Sequence, residues 1–271
     1  MKGQNTGVRV LVSVLAIPLI LAVCYFGGYY FLGVFLAIAL LAFYELIQLT
    51  KKKDAHPLVI TGMLSVTALI LNGYFRFIPN ELLIMGIVMA VLINELYLIR
   101  GSSIQNIGVT FIGIFYIGFS FYALVGIREF FTEYYRGGFI IMTILAGIWL
   151  CDSAAFFGGL TFGKHRLYER VSPKKSWEGA VFGFVFSVAG VAAAQIYFLD
   201  FITFTDALII GIIIGTIGQM GDLAESLLKR DAGVKDSSNL IPGHGGVFDR
   251  FDSLIAVAPV IFIYLNLFVN K

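Results

Sequence analysis

Residues 29–49 read YYFLGVFLAIALLAFYELIQL, a run in which Glu45 is the only charge. At a helical rise of 1.5 Å per residue, about 20 apolar residues cross the hydrocarbon core of a bilayer, so this run predicts a membrane-spanning helix. Eight further segments meet or approach that length: 8–26, 57–75, 82–99, 107–127, 139–157, 179–199, 205–221 and 253–269. Thr61, Ser65, Thr67 and Asn72 dilute the third span, and the eighth is short, which implies that its helix runs on into the polar residues behind it. The expected fold is all-α: a polytopic integral membrane helical bundle of about nine transmembrane helices, forming one membrane domain over 1–271.

The chain is 59% hydrophobic and 13% charged, against about 25% charged in a typical soluble domain, so most of its surface must face lipid. A net charge of +2 is too small to imply a nucleic-acid partner; membrane lipids are the expected surroundings. Lys and Arg favour cytoplasmic loops. With the N-terminus inside, only Arg76, Arg128, Arg136 and Lys271 of the 19 cationic residues fall outside, so a cytoplasmic N-terminus is expected. Leu21-Ala22-Val23-Cys24 faintly resembles a lipoprotein cleavage site, but Val23 is not the small residue such a site needs, and the first segment is read as a retained span. Cys24 and Cys151 lie in apolar runs and are read as packing residues. The pairs Gly179/Gly183 and Gly211/Gly215 have the spacing that lets helices approach closely in lipid. These helices also suggest a homodimer.

Two connections are long and polar, 158–178 and 222–252, and chemistry is to be sought there. The first contains Gly158, Gly159, Gly163, Lys164 and then Ser172-Pro173-Lys174-Lys175-Ser176-Trp177-Glu178-Gly179. Glycine, hydroxyl and lysine together suit phosphate, although lysines beside a span equally suit anionic lipid heads. In the second, a continuing helix places Asp222, Glu225, Ser226 and Lys229 at i, i+3, i+4 and i+7, one charged face with nothing apolar opposite. Pro242, Gly243, Gly245 and Gly246 bracket His244 and force a turn that brings Asp249 and Asp252 back toward the membrane surface. Converging carboxylates suit Mg²⁺, which takes a few protein oxygens and leaves positions for water and phosphate. Zinc spacing, a Walker loop, a dinucleotide fingerprint and a nucleophile turn are all absent from the sequence. A hard-metal phosphoryl or nucleotidyl site is the reading that remains. Asp152, inside the sixth span, is costly there unless it faces a polar cavity, and is read as functional. For Glu45 and Glu95, near the ends of the second and fourth spans, a structural role is at least as well supported; Lys51 and Arg100 are possible partners by position.

The residues Ser226, Leu228, Lys229, Arg230, Lys235, Asp236, Ser238, Ile241, Pro242, His244, Gly245, Gly246, Val247, Asp249, Arg250, Phe251 and Asp252 resemble the signature of the phosphatidate cytidylyltransferases, or CDP-diglyceride synthases, at every defined position. The first connection is similar to the same family in Asp152-Ser153-Ala154-Ala155-Phe156-Phe157-Gly158-Gly159, where Ser153 replaces the usual Thr, and in Ser172 to Gly179. The resemblance covers roughly residues 152–252. Residues 1–138 are N-terminal spans with little family signal, and 139–271 are the expected catalytic portion.

The resemblance implies transfer of the cytidylyl group from CTP to phosphatidate, giving CDP-diacylglycerol and pyrophosphate, with Mg²⁺ as one or two ions. It implies metal ligation by Asp222 and Asp249, then Asp252 and Asp152. Asp222, Asp249, Lys175 and His244 become the candidate catalytic residues, His244 either binding phosphate or holding the turn. Lys174, Lys175, Lys229, Arg230, Lys235 and Arg250 would hold phosphate groups, with Ser172, Ser176, Ser226, Gly245 and Gly246 beside them. The implied location is the bacterial inner membrane, with the site facing the cytoplasm. Rival readings are a CTP-dependent polyprenol or phytol kinase and a cation transporter using Asp152, Glu45 and Glu95. The transporter reading is disfavoured because the charges cluster at one membrane face and no interrupted pair of spans repeats.

Overall fold

A computed structural model describes residues 4–51, 55–98, 100–241, 243 and 245–269. Helices α1 (Gln4–Phe26), α2 (Gly28–Lys51), α3 (Val59–Phe75) and α4 (Asn80–Leu96) are followed by α5 (Ser103–Gly113), which runs through a π turn at Ile114–Gly118 into α6 (Phe119–Arg128). Next come α7 (Tyr134–Phe162), a hairpin of β1 (Arg166–Tyr168) and β2 (Ser172–Ser176), and α8 (Trp177–Phe198). Helix α9 (Phe204–Ile213) passes through a second π turn, Ile214–Gly218, into α10 (Gln219–Asp231), and α11 (Phe248–Phe268) closes the chain. Among the described residues, six helical stretches are long and apolar enough to cross a membrane: Gly28–Thr50, Ser103–Arg128, Tyr134–Phe162, Trp177–Phe198, Phe204–Asp231 and Phe248–Phe268. The protein is a polytopic, helical, integral membrane protein.

The described chain forms two compact units, 1–126 with 231–251, and 127–230 with 252–271. In the first, the fully buried ring of Phe43 fills the space left by Gly62 and Gly113, where a Cβ would collide with it. Asn72, which weakens the third apolar run, has a structural use. Its side chain donates to the Ile78 carbonyl (2.8 Å) and to Asn80 Oδ1 (2.9 Å), and accepts from the Ile78 N–H (3.0 Å), so it satisfies the turn into α4.

In the second unit α8 lies against α7 and α9 with almost no side chain between. A Cβ on Gly179 would stand 2.6 Å from the Ala155 carbonyl oxygen, and one on Gly183 2.8 Å from that of Cys151. On the neighbouring helix, a Cβ on Gly211 would stand 2.7 Å from Val188 Cα and one on Gly215 2.9 Å from Phe184 Cα. The close-packing role read for these four glycines is therefore met inside the chain, and their spacing carries no argument for a homodimer.

Two local expectations change and one holds. The connection 158–178 is not one loop: α7 continues to Phe162, and the antiparallel hairpin pairs Arg166 with Ser176 and Tyr168 with Ser172. Ser176 then caps α8, its hydroxyl accepting from the Gly179 N–H at 3.2 Å, because a side-chain acceptor at this position satisfies an otherwise orphaned donor. The last helix starts at Phe248 rather than 253, placing Asp249 in its first turn, where carboxylates are favoured by the exposed N–H groups and the helix dipole. The helix before it does continue beyond residue 221, to Asp231.

Candidate active site

In the second unit, α10 and the start of α11 place Asp222, Glu225 and Asp252 together, with one oxygen of each carboxylate within 4.8 Å of the others. Asp222 and Glu225 are three residues apart on one helix, hence on one face. Asp252 is brought in by tight helix contact: a Cβ on Gly221 would stand 2.5 Å from Ala256 Cβ and 3.0 Å from the Asp252 carbonyl oxygen. Ser253 reinforces the contact, its hydroxyl donating to the Gly218 carbonyl at 3.1 Å.

Cations reach this cluster from two directions. Lys175, on β2, places its Nζ 2.5 Å from Asp222 Oδ2, so the hairpin delivers a lysine to a helix nearly fifty residues away. Lys229, one turn beyond Glu225, pairs with it at 2.6 Å. Both members of that pair are buried, Glu225 completely. The face read as charged is thus partly buried, and the ion pair is what allows two charges to leave water together. Asp252 is also within electrostatic range of Asp152. Three clustered carboxylates with two lysines leave a net negative charge, and all the available ligand atoms are oxygens. Asp222 and Asp252 stay partly exposed. This donor set fits a hard divalent cation that keeps positions open for other ligands.

The remaining cationic candidates of this unit are Arg230 and Lys174. Arg230 donates from Nε to the Val171 carbonyl at 3.3 Å, which ties the end of α10 to the hairpin. Lys174 is exposed and Ser172 partly so, while Ser226 donates to Asp222 Oδ1 at a long 3.4 Å.

In the first unit the Gly-rich turn is organised around two carboxylates. Glu45, 3% exposed, accepts from the Ser237 hydroxyl (3.0 Å), the Ser238 hydroxyl (2.6 Å), the Val247 N–H (3.0 Å) and the Phe248 N–H (2.7 Å). Asp249 Oδ2 accepts from the N–H groups of Gly246 (2.8 Å) and Ser237 (3.0 Å). The turn closes through the Ile241 N–H donating to the Gly245 carbonyl at 2.9 Å. Gly243 and Gly245 adopt φ of 77° and 84°, a region that side chains disfavour, and a Cβ on Gly246 would collide with Ser237 Oγ. Lys235 and Arg250 are exposed. His244 lies outside the described residues.

Sequence reasoning did not assign two of the residues that organise these features. Glu225 was visible on the charged face, but nothing local announces that it is buried beside Asp252. Glu45 was visible as a costly charge in a span, and the signal for its role was the requirement that a buried carboxylate find several donors.

The profile of the Cytidylyltransferase family matches residues 7–268, well beyond the stretch 152–252 that carries the motif resemblance. The chain is 31% identical over 265 residues to the phosphatidate cytidylyltransferase of Bacillus subtilis (strain 168), covering 96% of this chain and 97% of that protein. It is 32% identical over 262 residues to the phosphatidate cytidylyltransferase of Staphylococcus saprophyticus, covering 95% and 98%. A third relative of the same name, from Haemophilus influenzae, is 44% identical over 140 residues, about half of either chain. This chain is an enzyme of the cytidylyltransferase family and belongs with the phosphatidate cytidylyltransferases.

Proposed function

We propose that this enzyme transfers the cytidylyl group of CTP to phosphatidate, forming CDP-diacylglycerol and pyrophosphate. The carrying observation is the cluster of Asp222, Glu225 and Asp252 with Lys175 at its edge, in a membrane protein whose full-length relatives bear this name. An oxygen of the lipid phosphate would attack the α-phosphorus of CTP, breaking its bond to the bridging oxygen of the leaving pyrophosphate. No covalent enzyme intermediate is needed, so the protein acts by positioning and charge neutralisation.

Asp222, Glu225 and Asp252 would hold Mg²⁺, as one or two ions, with Asp152 near them; the metal would neutralise charge on the reacting phosphates. Asp249, read from the sequence as a further ligand, has both oxygens engaged by the N–H groups of Ser237 and Gly246, and in this reading it holds the Gly-rich turn. Lys175 would exchange its contact with Asp222 for a phosphate oxygen when metal binds. Lys174, Arg230, Lys235 and Arg250 are placed in this reading to hold the triphosphate or the lipid phosphate, with Ser172 and Ser226 donating hydrogen bonds. We further infer nine spans, a cytoplasmic N-terminus, and a site on the cytoplasmic face of a bacterial inner membrane, where soluble CTP and a membrane lipid meet.

The test is the purified protein with phosphatidate, Mg²⁺ and CTP labelled in cytidine or in the γ-phosphate. Cytidine label should enter lipid and γ label should leave as pyrophosphate; γ label in lipid would instead show a kinase. Lys175→Arg should lower the rate by about tenfold while the protein stays folded, because the planar guanidinium cannot reproduce the point contact of an ammonium. An unchanged rate would place Lys175 outside the reaction.

A further inference from the structure

In the first unit, α4 and the start of α5 border an open groove of about 490 Å³ lined by Leu92, Glu95, Leu96, Arg100, Ser103 and Ile107, among others. Its size lies within the range of small-ligand sites, about 300–1,000 Å³. The floor is a buried carboxylate: Glu95 is 5% exposed. Its Oε1 accepts from Asn106 Nδ2 at 2.9 Å. Asn106, itself fully buried, has no further hydrogen to give, because Nδ2 also donates to the Arg100 carbonyl at 2.8 Å, while Oδ1 accepts from the His56 N–H at 2.7 Å. Glu95 Oε2 is buried and, among the described residues, has no hydrogen-bond donor. Leaving a buried charged acceptor unmet is costly, and the Glu95 side chain borders the groove, so a small turn of the carboxylate toward it would give this oxygen a donor supplied by a ligand.

The rest of the lining narrows the ligand. A bare divalent cation would want several oxygens, whereas this groove offers one free carboxylate oxygen, and Arg100 would repel a metal. A lining that combines the opposite charges of Glu95 and Arg100 with the apolar Leu92, Leu96 and Ile107 complements a molecule that carries an ammonium, a phosphate and a hydrocarbon stem. We propose that this groove is a binding site for a zwitterionic phospholipid with a primary amine, whose ammonium donates to Glu95 Oε2 and whose phosphate meets Arg100 and Ser103. A primary ammonium has three hydrogens to donate; a quaternary one has none. The site therefore distinguishes headgroups of equal net charge.

The test is native mass spectrometry of the full-length protein in detergent, titrated separately with phosphatidylethanolamine, phosphatidylcholine and phosphatidylglycerol carrying identical chains. Phosphatidylethanolamine should bind at least about tenfold more tightly than either of the others, the scale expected for a charged hydrogen bond. Glu95→Gln keeps the shape and the acceptor for Asn106, and should abolish the preference. Arg100→Ala alters an exposed side chain whose carbonyl alone is used internally, and should weaken phosphatidylethanolamine binding without unfolding the protein. Equal binding of the ethanolamine and choline lipids by the unaltered protein overturns the proposal. So does an undiminished preference in folded Glu95→Gln, or a thermal shift with MgCl₂ alone that depends on Glu95 in the absence of any lipid preference. Should Glu95→Gln fail to fold, the headgroup comparison and Arg100→Ala decide.

Discussion

Glu45→Ala is expected to lower the rate of lipid-bound cytidine formation on the order of 100-fold, although residue 45 is nearly two hundred positions from the loop it serves. The substitution removes the acceptor for two hydroxyls and for the N–H groups of Val247 and Phe248. Each buried donor left unmet costs about 1–3 kcal/mol, so thermal or denaturant unfolding should reveal a loss of at least about 3 kcal/mol. The rate falls further than stability alone explains, because the turn from Ser237 to Phe248 loses its register, and a displacement of about 1 Å in a positioning element can cost on the order of 100-fold. Glu45→Gln is the control: it keeps the shape and one good acceptor, and should fall between the two. A folded Glu45→Ala protein with an unaltered rate would remove the Gly-rich turn from the reaction.

Asp252→Asn should have the larger effect on catalysis, on the order of 1,000-fold, since a bound metal supplies several kcal/mol of charge stabilisation. Its effect on stability has the opposite sign. Without metal, Asp222, Glu225 and Asp252 hold like charges at close range, which destabilises the folded protein; neutralising one relieves that repulsion. The metal-free variant should melt at the same temperature as the unaltered protein or higher, and its melting temperature should no longer rise when Mg²⁺ is added. A variant that still gained stability from Mg²⁺ and kept its rate would show that Asp252 does not hold the ion. The two variants also separate two kinds of contribution: Glu45 acts through the loop it holds, whereas Asp252 is placed among the atoms that meet the substrates.

The helices were legible because each is a long apolar run, a signal that membrane solvation makes strong. The hairpin was not. Ser172-Pro173-Lys174-Lys175-Ser176 has no alternation of apolar and polar residues from which a strand could be read, and β1 is only three residues long. The start of α11 was set too late because Asp249, Arg250 and Asp252 look like loop residues, yet acidic groups in a first turn are favourable. The candidate site was legible as a list of residue types in two connections. Its grouping was not, since Lys175 meets Asp222, Arg230 meets Val171, and Glu45 meets Ser237 and Val247 across sequence separations that no local pattern encodes. Asn106 shows the same limit: it lies just before the apolar run 107–127, and its burial between Glu95 and the Arg100 carbonyl depends on the packing of α4 against α5.

The π turn at Ile214–Gly218 gives the chemistry an unusual dependence on counting. A π turn accommodates one residue more than the α-helix around it, and each residue advances an α-helix by about 100°. Surrounding side chains hydrogen-bond to carbonyls within the turn: Gln219 donates to that of Gly215 at 2.6 Å and Ser253 to that of Gly218 at 3.1 Å. Every residue after the turn is thereby aimed about a quarter of a circle away from where a regular helix would point it. The orientation of Asp222 and Glu225 toward Asp252 is thus a property of chain length as much as of composition. Substitutions within residues 214–218 that keep their number would keep this orientation, whereas loss of a single residue there would turn both carboxylates off their target without replacing either.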